Sequence, residues 1–238
     1  MADASIKMVD RLNGAGDVVW LGRRIDGIVF DVDGTLTDSI EAYYEIFRET
    51  CSRFGIQVAR KDVLEPMVQG SNIWDRIIPH DLPDREEKLK QCNQAVGQVF
   101  LDVMRRTQPF PGLEEVLLHL RQNGLRLGIF TASWRPALLP MKESGLINHF
   151  AAVVTREDGY AVKPAPDGIS ACLRLMKVEP AHALSVGDSP LDIRAGKEAG
   201  TLTVGVLSGI ATREQLEAEA PASIIEGVGQ LTAVLGLP

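Results

Sequence analysis

The chain has 238 residues, 45% hydrophobic and 24% charged, which allows one large domain, or one domain carrying an insert, around a sizeable core. Its net charge of -7 argues against general affinity for nucleic acid or acidic membranes, although a bound metal ion can still reverse the field inside one pocket. Cys51, Cys92 and Cys172 are widely spaced and odd in number, so they read as free thiols rather than a disulfide framework or a zinc site. No apolar run reaches the roughly 18 residues needed to cross a bilayer, and residues 1–17 are polar with no secretory h-region. These features predict a soluble cytoplasmic protein.

Residues 1–24 have little pattern and contain Asn13-Gly14-Ala15-Gly16, which predicts a flexible or loosely docked arm. The first firm element is Gly27-Ile28-Val29-Phe30, a short apolar run ending at an Asp-Gly turn, the signature of a buried strand. Residues 38–107 then show helical periodicity (Ile40, Tyr43, Tyr44 and Phe47, and later Leu89 through Met104) without a convincing strand. That many residues after one strand cannot be a simple loop, so they predict a small helical domain. The chain returns through Gln108-Pro109-Phe110-Pro111-Gly112, whose prolines stiffen the linker.

Beyond the linker, helical and strand patterns alternate. Leu113, Val116, Leu117 and Leu120 recur at helical spacing and stop at Asn123-Gly124, a suitable C-terminal cap. Further helices are predicted over 133–145, with Ser133 as its cap, over 166–177, and over 190–199, stopped by Gly200. Strands are predicted over 125–130, 151–154, 183–186 and 202–206. The alternation implies right-handed crossovers and an α/β fold, a doubly wound parallel sheet with helices on both faces. Residues 25–37 and 108–238 make this core, and 38–107 the helical insert. A ligand site in such a sheet gathers beyond the carboxyl ends of the strands.

Each of those ends carries a residue with a chemical use. They are Asp31 and Asp33 after the first strand, Thr131 after the second, Lys163 in the loop after the third, and Asp188 and Asp192 after the fourth. Singly, each has an ordinary explanation as a turn, strand end or helix cap. Together they bring acids, a hydroxyl and one cation to one rim. Carboxylates so crowded repel one another, and a hard divalent ion relieves that repulsion. Mg²⁺ suits the site because it takes few protein carboxylates and keeps room for water and substrate phosphate. A carboxylate aimed at phosphorus is a candidate nucleophile, and a second one two residues on can serve as general acid/base.

These residues resemble the haloacid dehalogenase-like hydrolase superfamily over about 25–207. The resemblance rests on Asp31-Val32-Asp33-Gly34-Thr35, on Leu127-Gly128-Ile129-Phe130-Thr131, on Lys163-Pro164-Ala165-Pro166-Asp167, and on Gly187-Asp188-Ser189-Pro190-Leu191-Asp192. It implies Asp31 as nucleophile and metal ligand, with Asp33 as general acid/base that also binds Mg²⁺ through its carbonyl. Thr131 and Lys163 would hold the phosphoryl group, Asp188 would complete the metal's protein ligands, and Asp192 would orient neighbours. The insert looks like a C1 cap closing over the site.

Within the superfamily the chain is most similar to phosphoglycolate phosphatase-like enzymes. That resemblance implies a small phosphorylated metabolite as partner, hydrolysed through an aspartyl-phosphate. It departs from the usual pattern at Thr131-Ala132, where those enzymes commonly carry Thr-Asn, and at Thr37. Alternatives are a hexose-phosphate mutase, or a phospho-accepting or binding domain without catalysis. Candidate substrate contacts are Ala132 in the core and Gly70 and Arg76 in the cap, with Trp74 beside them; Arg76 offers a bidentate site for a carboxylate. A monomer or a homodimer is expected.

Overall fold

The computed structural model describes residues 17–237. It opens with an antiparallel hairpin, β1 (Val18–Trp20) paired with β2 (Arg23–Ile25), turned through Leu21-Gly22 at positive φ. This corrects the expected arm over its last residues. Val18, Trp20 and Ile25 sit at a period of two on the hairpin's inner face and are buried in the main core, which docks it. The Asn13-Gly14-Ala15-Gly16 stretch lies outside the described residues.

β3 (Gly27–Phe30) follows, and its burial on both sides comes from strict alternation. Ile28 and Phe30 enter one core cluster, and Val29 enters another on the opposite face. The insert contains α1 (Ile40–Ser52), α2 (Arg60–Gln69), α3 (Ile73–Ile77) and α4 (Arg85–Met104). These helices share a core of their own, including Ile46, Val63, Ile78 and Val99. The chain leaves and re-enters side by side: the Asp38 N–H donates to Gln108 O (3.0 Å) and the Phe110 N–H to Leu36 O (3.0 Å).

α5 (Leu113–Gln122) stops as predicted, with Gly124 at φ +83°. β4 (Arg126–Phe130) leads into residues 131–145, where the expected single helix is replaced by a 3-10 turn at Arg135–Leu138 and a short α6 (Leu139–Glu143). Ser133 does not cap it, because its hydroxyl bonds Asp33 instead. β5 (Ala152–Val154), α7 (Asp167–Met176), β6 (Ala183–Gly187), α8 (Pro190–Glu198) and β7 (Leu202–Val206) follow, then α9 (Arg213–Ala218), β8 (Ser223–Ile225) and α10 (Leu231–Val234).

Six strands form one parallel sheet in the order β5-β4-β3-β6-β7-β8. β8 is an addition to the predicted strands; three residues give too little alternation to read. The order reverses between β3 and β6, so the loops leaving these neighbours run to opposite sides and open a crevice above them. No described helix is long and apolar enough to cross a membrane.

Candidate active site

Register alone assembles most of the site. Phe30 lies opposite Ile129 on one side and Val186 on the other, so Asp31 emerges level with Phe130 and Gly187. Thr131 and Asp188 follow one step higher on either flank. The Asp31 N–H donates to Val186 O (2.9 Å), extending the ladder by one rung. Lys163 enters from the loop after β5. Its ammonium is buried between Asp31 Oδ1 and Asp192 Oδ1, bonding the first closely and the second at 2.6 Å, and it lies 5.0 Å from the centre of the Phe130 ring.

Asp192 serves two purposes. At the third position of α8 it forms a capping box with Ser189: its Oδ2 accepts from the Ser189 N–H (3.0 Å) and hydroxyl (2.5 Å). That arrangement aims its Oδ1 at Lys163. Asp188 is held by its own loop partner, with Oδ2 accepting the Ile210 N–H at 2.7 Å. The close approach depends on two glycines. A Cβ on Gly34, which has φ +75°, would lie 2.6 Å from Asp188 Oδ2, and one on Gly209 would lie 2.0 Å from the same atom.

Asp31, Asp188 and Asp192 each offer an oxygen within 4.8 Å of the others. With Asp33 nearby, three buried carboxylates and the largely buried Asp31 face one ammonium. Burial pushes the Asp31 carboxyl up from its ordinary 3.8 to about 7, with Lys163 opposing and Asp192 and Asp33 adding to the rise. Burial, then Asp192 and Asp31, hold Asp188 well above its ordinary value. Burial works against the charge on Lys163, but Asp192 and Asp31 outweigh it and keep it protonated. This excess of negative oxygen donors, left short of positive charge by a single lysine, is chemically suited to a hard divalent cation.

Asp33 sits in a different setting. Its Oδ1 accepts from the Ser39 hydroxyl (2.8 Å), and its Oδ2 accepts from the Tyr43 phenol (2.9 Å) and the Ser133 hydroxyl (2.7 Å). Tyr43 and Ser133 also lie 2.5 Å apart. Two hydroxyl protons serve three contacts when Asp33 is ionised; a proton on Asp33 supplies the third. Burial holds this carboxyl above its ordinary value, and the Ser133, Ser39 and Tyr43 hydroxyls moderate the rise. These three residues were missed in the sequence as partners of Asp33. The signal available was weak: Ser39 and Tyr43 are four apart, one helical turn, and Ser133 stands two beyond Thr131.

The remaining candidates divide. Thr131 is buried, and its Oγ1 accepts the Ser133 N–H at 3.0 Å, which turns the loop toward Asp33. Ala132, Gly70 and Trp74 line a cavity of about 1120 Å³ between the helical layer and the strand ends. Arg76 does not. It is half exposed and pairs with Asp62 (3.3 Å) and Glu65 (3.5 Å) on the outside of the helical layer, so the expected carboxylate site is corrected to a surface ion pair. Five residues of helix carry Trp74 inward and Arg76 outward, since residues two apart lie on different faces.

Known proteins match this arrangement. Residues 28–206 fit the family model described as haloacid dehalogenase-like hydrolase. The chain is 31% identical over 215 residues to pyrophosphatase PpaX of Anoxybacillus flavithermus, covering 90% of this chain and 98% of that protein. Among solved structures, a hydrolase from Pseudomonas syringae superposes with a TM-score of 0.75 at 25% identity, covering 89% of this chain and 98% of that one. A predicted phosphoglycolate phosphatase from Haemophilus somnus has the same fold (TM-score 0.78, 19% identity, 88% and 97% covered). With three-quarters of its length inside the family match, and with acids, lysine and threonine at the ends of a switch-point sheet, the chain belongs to the haloacid dehalogenase-like hydrolases.

Proposed function

We propose that the protein is a Mg²⁺-dependent phosphatase that hydrolyses a small phosphorylated metabolite through an aspartyl-phosphate on Asp31. The observation that carries this reading is the contrast between two carboxylates two residues apart. Asp31 is paired with a lysine among further acids, and Asp33 is buried beneath three hydroxyls. Environments so different divide nucleophile from acid.

Lys163 holds Asp31 Oδ1, which leaves the other oxygen to attack phosphorus while the ester P–O bond breaks. Asp33 gives its proton to the departing oxygen, then takes one from the water that cleaves the Asp31–phosphorus bond. The Ser39, Tyr43 and Ser133 hydroxyls hold Asp33 in place through both steps. Thr131 and Lys163 lie where they can hold the phosphoryl oxygens, and Asp192 keeps Lys163 in position. Asp31, Asp188 and the Asp33 carbonyl would hold Mg²⁺, which when bound neutralises charge on the transferring phosphoryl group.

Residues 38–107 act in this reading as a cap that shuts water out of the site, hinged at the paired stretches near 38 and 108. Three buried, unpaired thiols support a reducing compartment such as the cytoplasm. The direct test is phosphate release from 4-nitrophenyl phosphate with Mg²⁺ and with EDTA. Mg²⁺-dependent turnover lost in Asp31→Asn is expected; turnover retained in that variant defeats the mechanism.

A further inference from the structure

For a phosphatase, the walls of the cavity carry information about the leaving group, so any class of leaving group read from them rests on the phosphatase reading. Among the described residues, the helical layer contributes no charged side chain to this cavity. Its contribution is aromatic and aliphatic. Phe47 packs edge-on to Trp74 (5.0 Å between ring centres) and Tyr43 edge-on to Phe100 (5.8 Å). Neutral polar groups are present in Asn72 and Asn93. From the core, Trp134 joins the lining with 55% of its surface exposed. The lining cation apart from Lys163 is Arg156, exposed at the rim with its guanidinium over the Trp134 ring (5.5 Å) and Glu157 beside it.

Gly97 is a second, independent sign. It stands in the interior of α4, where glycine weakens a helix, and it lines the cavity. Its φ is ordinary, and a Cβ there would meet nothing within 4 Å, so neither backbone nor packing demands it. What its missing side chain provides is room.

We infer that the leaving group is a bulky, uncharged, ring-bearing alcohol rather than a carboxylate or a second phosphate. A ring can pack against these aromatic side chains, and the asparagine amides can meet a hydroxyl or carbonyl on it. A carboxylate or phosphate would leave water for a helical layer that offers it no counter-charge, with Lys163 held by Asp31 and Asp192 and Arg156 exposed at the rim, which disfavours it.

The test compares leaving groups that need the same help from an acid: 2-naphthylmethyl phosphate and 2-phosphoglycolate, with pyrophosphate alongside and 4-nitrophenyl phosphate as the general reporter. The expected kcat/KM for the naphthylmethyl ester exceeds those for 2-phosphoglycolate and pyrophosphate by about 100-fold or more. Gly97→Leu should lower turnover of the naphthylmethyl ester by about tenfold and leave 2-phosphoglycolate within about twofold, with melting temperature not reduced. Quenching of tryptophan fluorescence in Asp31→Asn should reproduce the same order of binding without turnover.

Equal or better turnover of either anionic substrate, in a protein that cleaves 4-nitrophenyl phosphate, overturns the leaving-group class and leaves the phosphatase reading standing. Equal losses for both esters in Gly97→Leu also overturn it. No phosphate released from any of the four defeats the phosphatase reading, and the leaving-group class falls with it.

Discussion

Tyr43 reaches the proposed acid from within the first helix of the helical layer, so Tyr43→Phe probes how that layer serves the chemistry. The ring stays against Phe100, and the substitution removes little beyond the phenol oxygen. That oxygen is bonded to Asp33 Oδ2 at 2.9 Å, and the tyrosine is buried. A hydrogen bond to an ionisable group contributes roughly 1.5–3 kcal/mol, or about 10-fold to 150-fold in rate. Ser39 and Ser133 still hold Asp33, so the lower end applies, about tenfold in kcat/KM. The sign of the pH effect follows from the donor's role. Tyr43 favours ionised Asp33, so losing it raises the acid's pKa and moves the alkaline limb of kcat/KM to higher pH. The assay is kcat/KM against pH for benzyl phosphate and 4-nitrophenyl phosphate. A nitrophenolate departs without a proton, so the defect should be larger for the benzyl ester. Equal defects on both esters, or an unmoved alkaline limb, would refute the assignment of Asp33 as the acid that Tyr43 supports.

Without metal, Asp31 is pushed from 3.8 to about 7 in the fold, so stability is present below about pH 4 and is lost as pH rises through 7, on the order of 4 kcal/mol at most. Melting in EDTA should therefore drop between about pH 5 and pH 8, and Mg²⁺ should restore more at the higher pH; a Mg²⁺ effect independent of pH contradicts this. Gly209→Ala places a methyl 2.0 Å from Asp188 Oδ2 and should weaken Mg²⁺ affinity, read by titration calorimetry, by about 10–100-fold. Unchanged affinity would remove Asp188 from the metal's ligands. Arg76→Ala breaks only exposed ion pairs and should leave melting and kcat/KM within about twofold; a tenfold loss of turnover would return Arg76 to the substrate site.

Much of the core was legible because its signals are local. β3 alternates Ile28, Val29 and Phe30 between the two faces, and Gly124 and Gly200 stop helices by their own conformational freedom. Asp31, Asp33, Thr131, Lys163 and Asp188 were identifiable because a parallel sheet brings successive strand ends to one rim. The misreadings share a cause. Ser133 has the composition of a helix cap, and nothing nearby in sequence reveals that Asp33, a hundred residues away, takes its hydroxyl. Trp20 looks like part of an arm until the core that receives it exists. Arg76 is a plausible anion reader in any loop, and only the phase of a five-residue helix turns it to solvent.

By itself, then, the sequence determined the chemistry available at the strand ends, since residue type and strand register depend on neighbours in the chain. The tertiary structure decided what surrounds that chemistry. It set three hydroxyls around Asp33, one lysine between two acids, and an uncharged aromatic wall opposite them. Each of those depends on helix phase or on contacts between separate segments, the longest joining residues 90 or more apart, as between Tyr43 and Ser133 or between Lys163 and Asp31. No local pattern encodes such contacts, and packing selects them only once both partners are in place.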